Sequence, residues 1–135
     1  MNNNFSILII EDHPPLQQTF AQILRRGGYK TVICKSDLNA LVTLGQQPFD
    51  LVVLDLHQYS DFGLSLFFKI KKNYPLLPVI LLSANSEEDI IPSFNDEKAW
   101  IMIRKPFEPS LLLRSVHAIT STASKRDLQP LIVAY

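Results

Sequence analysis

The sequence predicts an α/β domain, built as a single doubly wound sheet of five parallel strands with helices on both faces. Five short runs are almost continuously apolar and rich in Val and Ile, which is typical of strands covered on both faces. These runs are F-S-I-L-I-I, K-T-V-I-C, D-L-V-V-L, P-V-I-L-L and W-I-M-I. Helix signals lie between them, and strands that alternate with helices form parallel βαβ units.

The first two helices are predicted from their starts and stops. Proline fits a first turn and glycine favours a helix end, so Pro14 and Pro15 should form the first turn of the first helix, and Gly27 and Gly28 should end it. The second should be capped by Ser36 and Asp37 and end near Pro48. The apolar faces that support them carry Leu16, Phe20, Ile23 and Leu24 in the first helix, and Leu41 and Leu44 in the second.

Three further segments follow the later strands. A third helix is predicted from about Leu64 to Asn73, and a last one after Pro109, with an apolar face. The segment between the fourth and fifth strands has Pro92 in its middle, and an interior proline removes a hydrogen bond and kinks or ends a helix. We therefore expect this fourth helix to be short or irregular.

The bulk composition limits the classes of function. The chain has 135 residues, 47% of them hydrophobic, with a formal net charge of zero. It therefore lacks the overall basic field that would attract nucleic acid or an anionic membrane. No apolar run approaches the length of about 18 residues that spans a bilayer. The single cysteine, Cys34, lies in an apolar strand and is predicted to be a buried structural thiol, so we expect a cytoplasmic protein.

The composition changes near the C-terminus. We expect one domain over residues 1–122, followed by a polar linker and a short apolar tail over residues 123–135. The closing P-L-I-V-A-Y is compatible with an extra strand, with a docking tail or with the start of an output region.

Polar side chains follow four of the five predicted strands. Glu11 and Asp12 follow the first, Asp55 the third, Ser83 the fourth and Lys105 the fifth. Each alone has an ordinary structural explanation as a cap, a turn residue or a surface charge. Open parallel sheets, however, form their sites at the carboxyl ends of the strands, so these groups should converge.

The chemistry of such a cluster follows from its charges. Neighbouring carboxylates repel one another unless a cation lies among them, and oxygen ligands with open positions suit Mg²⁺. A carboxylate beside that ion can attack a phosphoryl group. Lys105 and Ser83 could then bind the oxygens of the transferred group, where charge must be neutralised.

The sequence resembles the receiver domains of two-component response regulators over residues 5 to about 122. The motifs that carry the resemblance are E-D-H-P, P-F-D-L-V-V-L-D-L, L-L-S-A and K-P-F, together with Gly63, which lies eight residues beyond Asp55. The intervals from Asp12 to Asp55, from Asp55 to Ser83 and from Ser83 to Lys105 are 43, 28 and 22 residues, as in the family.

The resemblance implies a flavodoxin-like strand order 2-1-3-4-5 and a role for each site residue. It implies Asp55 as the phosphoacceptor, Ser83 and Lys105 as the switch residues, and a cis bond between Lys105 and Pro106. The Mg²⁺ ligands it implies are Asp12, Asp55 and the backbone carbonyl of His57, with Glu11 acting mainly through a metal-bound water. The implied donor is a sensor histidine kinase or histidine phosphotransfer protein, and the implied recipient of the signal is a downstream effector protein or domain.

Several positions depart from the family pattern. A Met-Pro pair often follows the phosphoacceptor, but this chain has Gln58 and Tyr59 there. The aromatic switch residue usually lies three residues before the lysine, where this chain has Met102, which suits a core position. These departures support an alternative, a receiver-like interaction module with weak or absent phosphorylation.

Two other classes fit less well. An aspartate-nucleophile phosphatase commonly has an acid two residues after the nucleophile, where this chain has His57. Nucleotide binding is disfavoured because the four glycines form neither G-x-G-x-x-G nor a P-loop.

Overall fold

The computed structural model of the chain describes residues 5–35, 37–56, 62–84, 99–121 and 131–133. Within these residues the chain forms one sheet flanked by helices. The elements in chain order are β1 (Ser6–Ile10), α1 (Pro14–Arg26), β2 (Lys30–Cys34), α2 (Asp37–Gln46), β3 (Leu51–Leu56), α3 (Phe62–Asn73), β4 (Val79–Ser83), β5 (Trp100–Arg104), α4 (Pro109–Thr120) and β6 (Leu131–Val133).

The sheet has the strand order β2-β1-β3-β4-β5-β6, and all its neighbouring strands are parallel. The five predicted strands and their order 2-1-3-4-5 are confirmed. The structure adds β6, which pairs with β5 from Ile101 opposite Leu131 to Ile103 opposite Val133. An extra strand was one of the three possibilities that the sequence left open for the apolar C-terminal tail.

The core lies on both faces of the sheet. Alternate residues of a strand point to opposite faces. Leu8 and Ile10 of β1 therefore pack with α2 and α3, whereas Ile7 and Ile9 pack with α1 and α4. Burial on both sides explains why the strands are continuously apolar instead of alternating.

The helices agree closely with their predicted boundaries. α1 begins at Pro14 and ends at Arg26, with Gly27 as its C-cap. A Cβ atom at Gly27 would overlap Cδ1 of Leu113 in α4, so the end of the Leu113 side chain would have to move to make room for it. α3 begins at Phe62, two residues before the predicted start. The segment around Pro92, predicted to be a short or irregular helix, lies outside the described residues.

A lysine is buried at the end of the sheet opposite the predicted site. Lys71 is 2% exposed, and its Nζ donates hydrogen bonds to the carbonyl oxygens of Pro75 (3.5 Å), Leu77 (2.6 Å) and Ala99 (3.0 Å). Backbone carbonyls compensate in part for the water that a buried ammonium loses. Lys71 thus joins the end of α3 to the start of β5.

Two expectations from composition can be checked. Cys34 is buried, as predicted, and its Sγ lies 3.4 Å from Oγ1 of Thr43. None of the helices in the part of the chain that the structure describes is long and apolar enough to cross a membrane.

Candidate functional site

The predicted site residues meet at the carboxyl edge of the sheet. Glu11 directly follows β1, Ser83 is the last residue of β4, and Lys105 directly follows β5. The backbone N–H of Lys105 donates to the carbonyl oxygen of Ser83 at 2.8 Å, which aligns the ends of β4 and β5. Asp55 differs slightly from its prediction, because it lies within β3 and pairs with Leu82.

An ion pair joins the third and fifth strands. The ammonium of Lys105 donates to Oδ1 of Asp55, whose side chain is 1% exposed, while that of Lys105 is 25% exposed. Oδ2 of Asp55 is also buried, and no hydrogen-bond partner for it occurs among the described residues. A buried carboxylate oxygen without a partner is costly, so this atom favours the approach of a cation or another electrophile.

Glu11 is the second buried acid of the site, with 2% exposure. Burial, together with the neighbouring Asp55 carboxylate, raises the pKa of its carboxyl from 4.5 to about 8. A hydrogen bond from the backbone N–H of His13 to Oε2, at 3.2 Å, opposes this increase in pKa. At neutral pH and without a metal, Glu11 therefore keeps its proton while Asp55 is paired with Lys105.

Asp12 lies at the exposed rim of the same cluster. A side-chain hydrogen bond between Asp12 and Glu11 contributes to the raised pKa of Glu11, so all three carboxyl groups are neighbours. In the described part of the chain, no three His, Cys, Asp or Glu side chains form a complete metal cage. Mg²⁺ does not require one, since it is usually held by one or two carboxylates and completes its octahedron with water and phosphate oxygens.

The donor set therefore fits Mg²⁺. Asp55 supplies a buried oxygen without a partner, and Asp12 supplies an exposed carboxylate at the entrance. The backbone carbonyl of His57, which the family resemblance adds as a ligand, lies outside the described residues. Asp12 and Asp55 are thus the side chains that would hold the ion, with Glu11 beside them.

Two further features complete this edge of the sheet. Ser83 is fully buried at the end of β4, and the small Ala84 that follows it is exposed. The peptide bond between Lys105 and Pro106 is cis, as expected. Met102 is 1% exposed and belongs to the core on the α2 and α3 side, which confirms its interpretation as a core residue. Gln58 and Tyr59 lie outside the described residues.

Sequence reasoning missed Gln17. This side chain is 6% exposed, and its Nε2 donates to the carbonyl oxygen of Glu11 at 2.5 Å. A signal was present, because Gln17 shares helical spacing with Phe20, Ala21 and Leu24, all of them buried. A polar side chain on a buried helix face requires a hydrogen-bond partner, and here that partner is the turn that carries the acids.

The fold and the site define a class of protein: a doubly wound α/β domain with a buried aspartate, two neighbouring acids and a lysine at its carboxyl edge. The sequence matches the family described as response regulator receiver domain over residues 7–117. The chain belongs to this family.

Individual relatives agree. A putative NtrX-like response regulator from Rickettsia bellii is 31% identical over 124 residues, which are 90% of this chain and 26% of that protein. The response regulator protein FleR from Pseudomonas aeruginosa is 32% identical over 115 residues, 84% of this chain and 24% of that protein. The chain thus spans about a quarter of the length of these curated relatives.

Solved structures give the same result. The receiver domain of NtrX from Brucella abortus has a TM-score of 0.72 and 30% identity, covering 86% of this chain and 99% of that one. The chemotaxis protein CheY4 from Vibrio cholerae has a TM-score of 0.77 and 19% identity, covering 85% of this chain and 98% of that one, and shares the fold.

Proposed function

We propose that Asp55 is the phosphoacceptor of this receiver domain, that Mg²⁺ bound beside it assists the transfer, and that Ser83 and Lys105 respond to the phosphoryl group. The observation that carries the proposal is the buried Asp55 carboxylate, which is paired through Oδ1 with Lys105 and has no described partner at Oδ2. Membership of the family supports a signalling phosphoacceptor rather than an enzyme acting on separate substrates.

The transfer is a nucleophilic substitution at phosphorus. A carboxylate oxygen of Asp55 attacks the phosphorus of a phosphohistidine on the donor protein, the new P–O bond forms and the P–N bond breaks. The histidine nitrogen keeps the electron pair of the broken bond and is protonated. In a separate step, water attacks the phosphorus of the aspartyl phosphate, the P–O bond to Asp55 breaks, and inorganic phosphate and the free carboxylate are released, so the domain would catalyse only its own phosphorylation and dephosphorylation.

The residues around Asp55 supply the charge compensation. Lys105 already contacts Asp55, so its ammonium can exchange the carboxylate for the oxygens of an attached phosphoryl group. The Ser83 hydroxyl, at the end of the adjacent strand, can donate a hydrogen bond to the same group. When bound, Mg²⁺ would neutralise negative charge on the phosphoryl oxygens and on the acids.

The partners follow from the same function. A sensor histidine kinase or histidine phosphotransfer protein would donate the phosphoryl group, and an effector protein or domain would read its presence. We propose that the protein works in the cytoplasm, where these partners would meet it.

Intact mass measurement tests the proposal. After incubation with acetyl phosphate and Mg²⁺, we expect a gain of one phosphoryl group that requires Mg²⁺ and is lost in Asp55→Asn. Glu108→Gln, which changes an exposed carboxyl before α4, is the matched control and should be phosphorylated normally. Uptake that persists in Asp55→Asn would show that another residue is the acceptor.

A second candidate function, the interaction module, is favoured by one observation. Met102 occupies the position of the usual aromatic switch residue and is buried in the core. If the folded wild type gains no phosphoryl group and does not bind beryllofluoride with Mg²⁺, this second function replaces the first.

A further inference from the structure

We propose that Gln17 is a positioning residue of the magnesium site, acting through its hydrogen bond to the backbone carbonyl of Glu11. The inference rests on the proposed function, because it assigns a role in the binding of the ion that the phosphoacceptor needs. Among the described residues, Gln17 makes no hydrogen bond to Lys105 or to the carboxylate of a proposed ligand. It would act only through the backbone of the turn between β1 and α1.

The turn between β1 and α1 is fixed at both of its ends. The backbone N–H of Glu11 donates to the carbonyl oxygen of Cys34 in the neighbouring strand at 3.1 Å, and the carbonyl oxygen of Glu11 accepts from Nε2 of Gln17 at 2.5 Å. On the other side, the backbone N–H of Gln17 donates to the carbonyl oxygen of His13 at 3.0 Å. The side chain of Gln17 therefore holds the residue before Asp12, while the residue after Asp12 is held by the first backbone hydrogen bond of α1.

These hydrogen bonds hold the backbone on both sides of Asp12 and so limit the positions that its carboxylate can reach. Asp12 is exposed, whereas Glu11 is buried and its Oε2 accepts a hydrogen bond from the N–H of His13 at 3.2 Å. An exposed side chain on a free turn would sample many positions, but here both flanking peptide groups are fixed. Groups that hold the ligands of a metal in place typically change its affinity by about 10- to 100-fold when they are removed.

Packing alone does not account for a glutamine at this position. The other buried residues of α1 are Phe20, Ala21 and Leu24, and an apolar side chain would fill the same space without the cost of desolvating an amide. The side-chain amide of Gln17 is oriented so that its N–H donates to the carbonyl oxygen of Glu11, at the start of the turn between β1 and α1. The cost of burying it is thus offset by a contact that only a hydrogen-bond donor can make.

The test is the Mg²⁺ affinity of three variants, measured by titration calorimetry. Gln17→Met keeps the length and volume of the side chain but removes the donor, and we expect the dissociation constant to rise by about tenfold or more. Gln17→Lys restores a donor of sufficient reach and should recover a large part of the affinity. Gln18→Met, at the exposed neighbouring glutamine of the same helix, should bind Mg²⁺ like the wild type.

A stability control separates positioning from general loosening. Leu24→Ala removes a fully buried side chain of α1 that is remote from the turn, so it destabilises the domain without touching the acids. If Leu24→Ala weakens Mg²⁺ binding as much as Gln17→Met does, or if Gln17→Met binds Mg²⁺ like the wild type, the positioning role is refuted and the proposed function stands. Absence of Mg²⁺ binding in the wild type would refute the proposed function and this inference together.

Discussion

Replacing Glu11 by glutamine should remove a large part of the pH dependence of the stability of the metal-free protein. The carboxyl of Glu11 is buried beside Asp55, which together with burial raises its pKa from 4.5 to about 8. Glutamine has nearly the same shape and stays neutral at every pH. It therefore imitates the protonated acid that the folded state prefers.

The sign follows from proton binding. Below pH 4.5 the Glu11 carboxyl is protonated in both the folded and the unfolded chain, so it adds no pH dependence. As the pH rises towards 8, the unfolded chain releases this proton while the folded protein retains it, so the free energy of unfolding falls. Above about 8 the folded protein has also released the proton, and the loss is complete.

The magnitude follows from the two pKa values. Each tenfold difference in proton affinity corresponds to about 1.4 kcal/mol. The advantage of Glu11→Gln over the wild type should therefore grow by at most about 3 kcal/mol between acidic solution and pH 7, and by about 5 kcal/mol once the pH exceeds the folded pKa. A saturating concentration of Mg²⁺ should reduce this advantage, because a nearby cation favours the ionised acid.

Urea unfolding at intervals from pH 4 to pH 9, with a chelator present, measures these differences. The exposed Glu108→Gln is the control and should follow the wild-type curve. Parallel curves for Glu11→Gln and the wild type over the whole range would refute the claim that Glu11 is protonated in the folded protein at neutral pH.

Three other substitutions test separate parts of the structure. Asp12→Asn should weaken Mg²⁺ binding because it removes the charge of a proposed ligand, and an unchanged magnesium titration would count against Asp12 as a ligand. Lys105→Ala should greatly reduce the change in hydrogen exchange on phosphorylation, because it removes the ammonium that we propose passes from Asp55 to the phosphoryl group. A change equal to that of the wild type would remove Lys105 from the switch. Lys71→Met should lower the free energy of unfolding by roughly 3 kcal/mol, since three hydrogen bonds from a charged donor to backbone carbonyls are lost, and a loss below about 1 kcal/mol in urea unfolding would contradict this account.

Much of the fold was predictable because its signals are local. Pro14 and Gly27 marked the limits of α1, and the apolar runs marked β1 to β5, since a strand buried on both faces has almost no polar residue. The convergence of Glu11, Asp55, Ser83 and Lys105 was also predictable, because parallel strands bring their carboxyl ends to one edge.

Other features depend on contacts between residues far apart in the chain. The burial of Lys71 requires the carbonyl of Ala99, which lies 28 positions later, and nothing in the local K-I-K-K-N sequence distinguishes this lysine from its neighbours. β6 is likewise defined by its pairing with β5, since three apolar residues have no strand periodicity of their own.

The sequence by itself determined the order of strands and helices, the set of acids, hydroxyl and lysine at the strand ends, and the family. These depend on residue type and spacing along the chain, which the sequence displays directly. The tertiary structure decided that Glu11 is the acid with the raised pKa and that Oδ1 of Asp55 is paired with Lys105. It also decided that Gln17 is the buried helix residue bound to the turn between β1 and α1. Those properties arise from burial and from distances of a few ångströms between groups on different elements, and both exist only once the chain has folded.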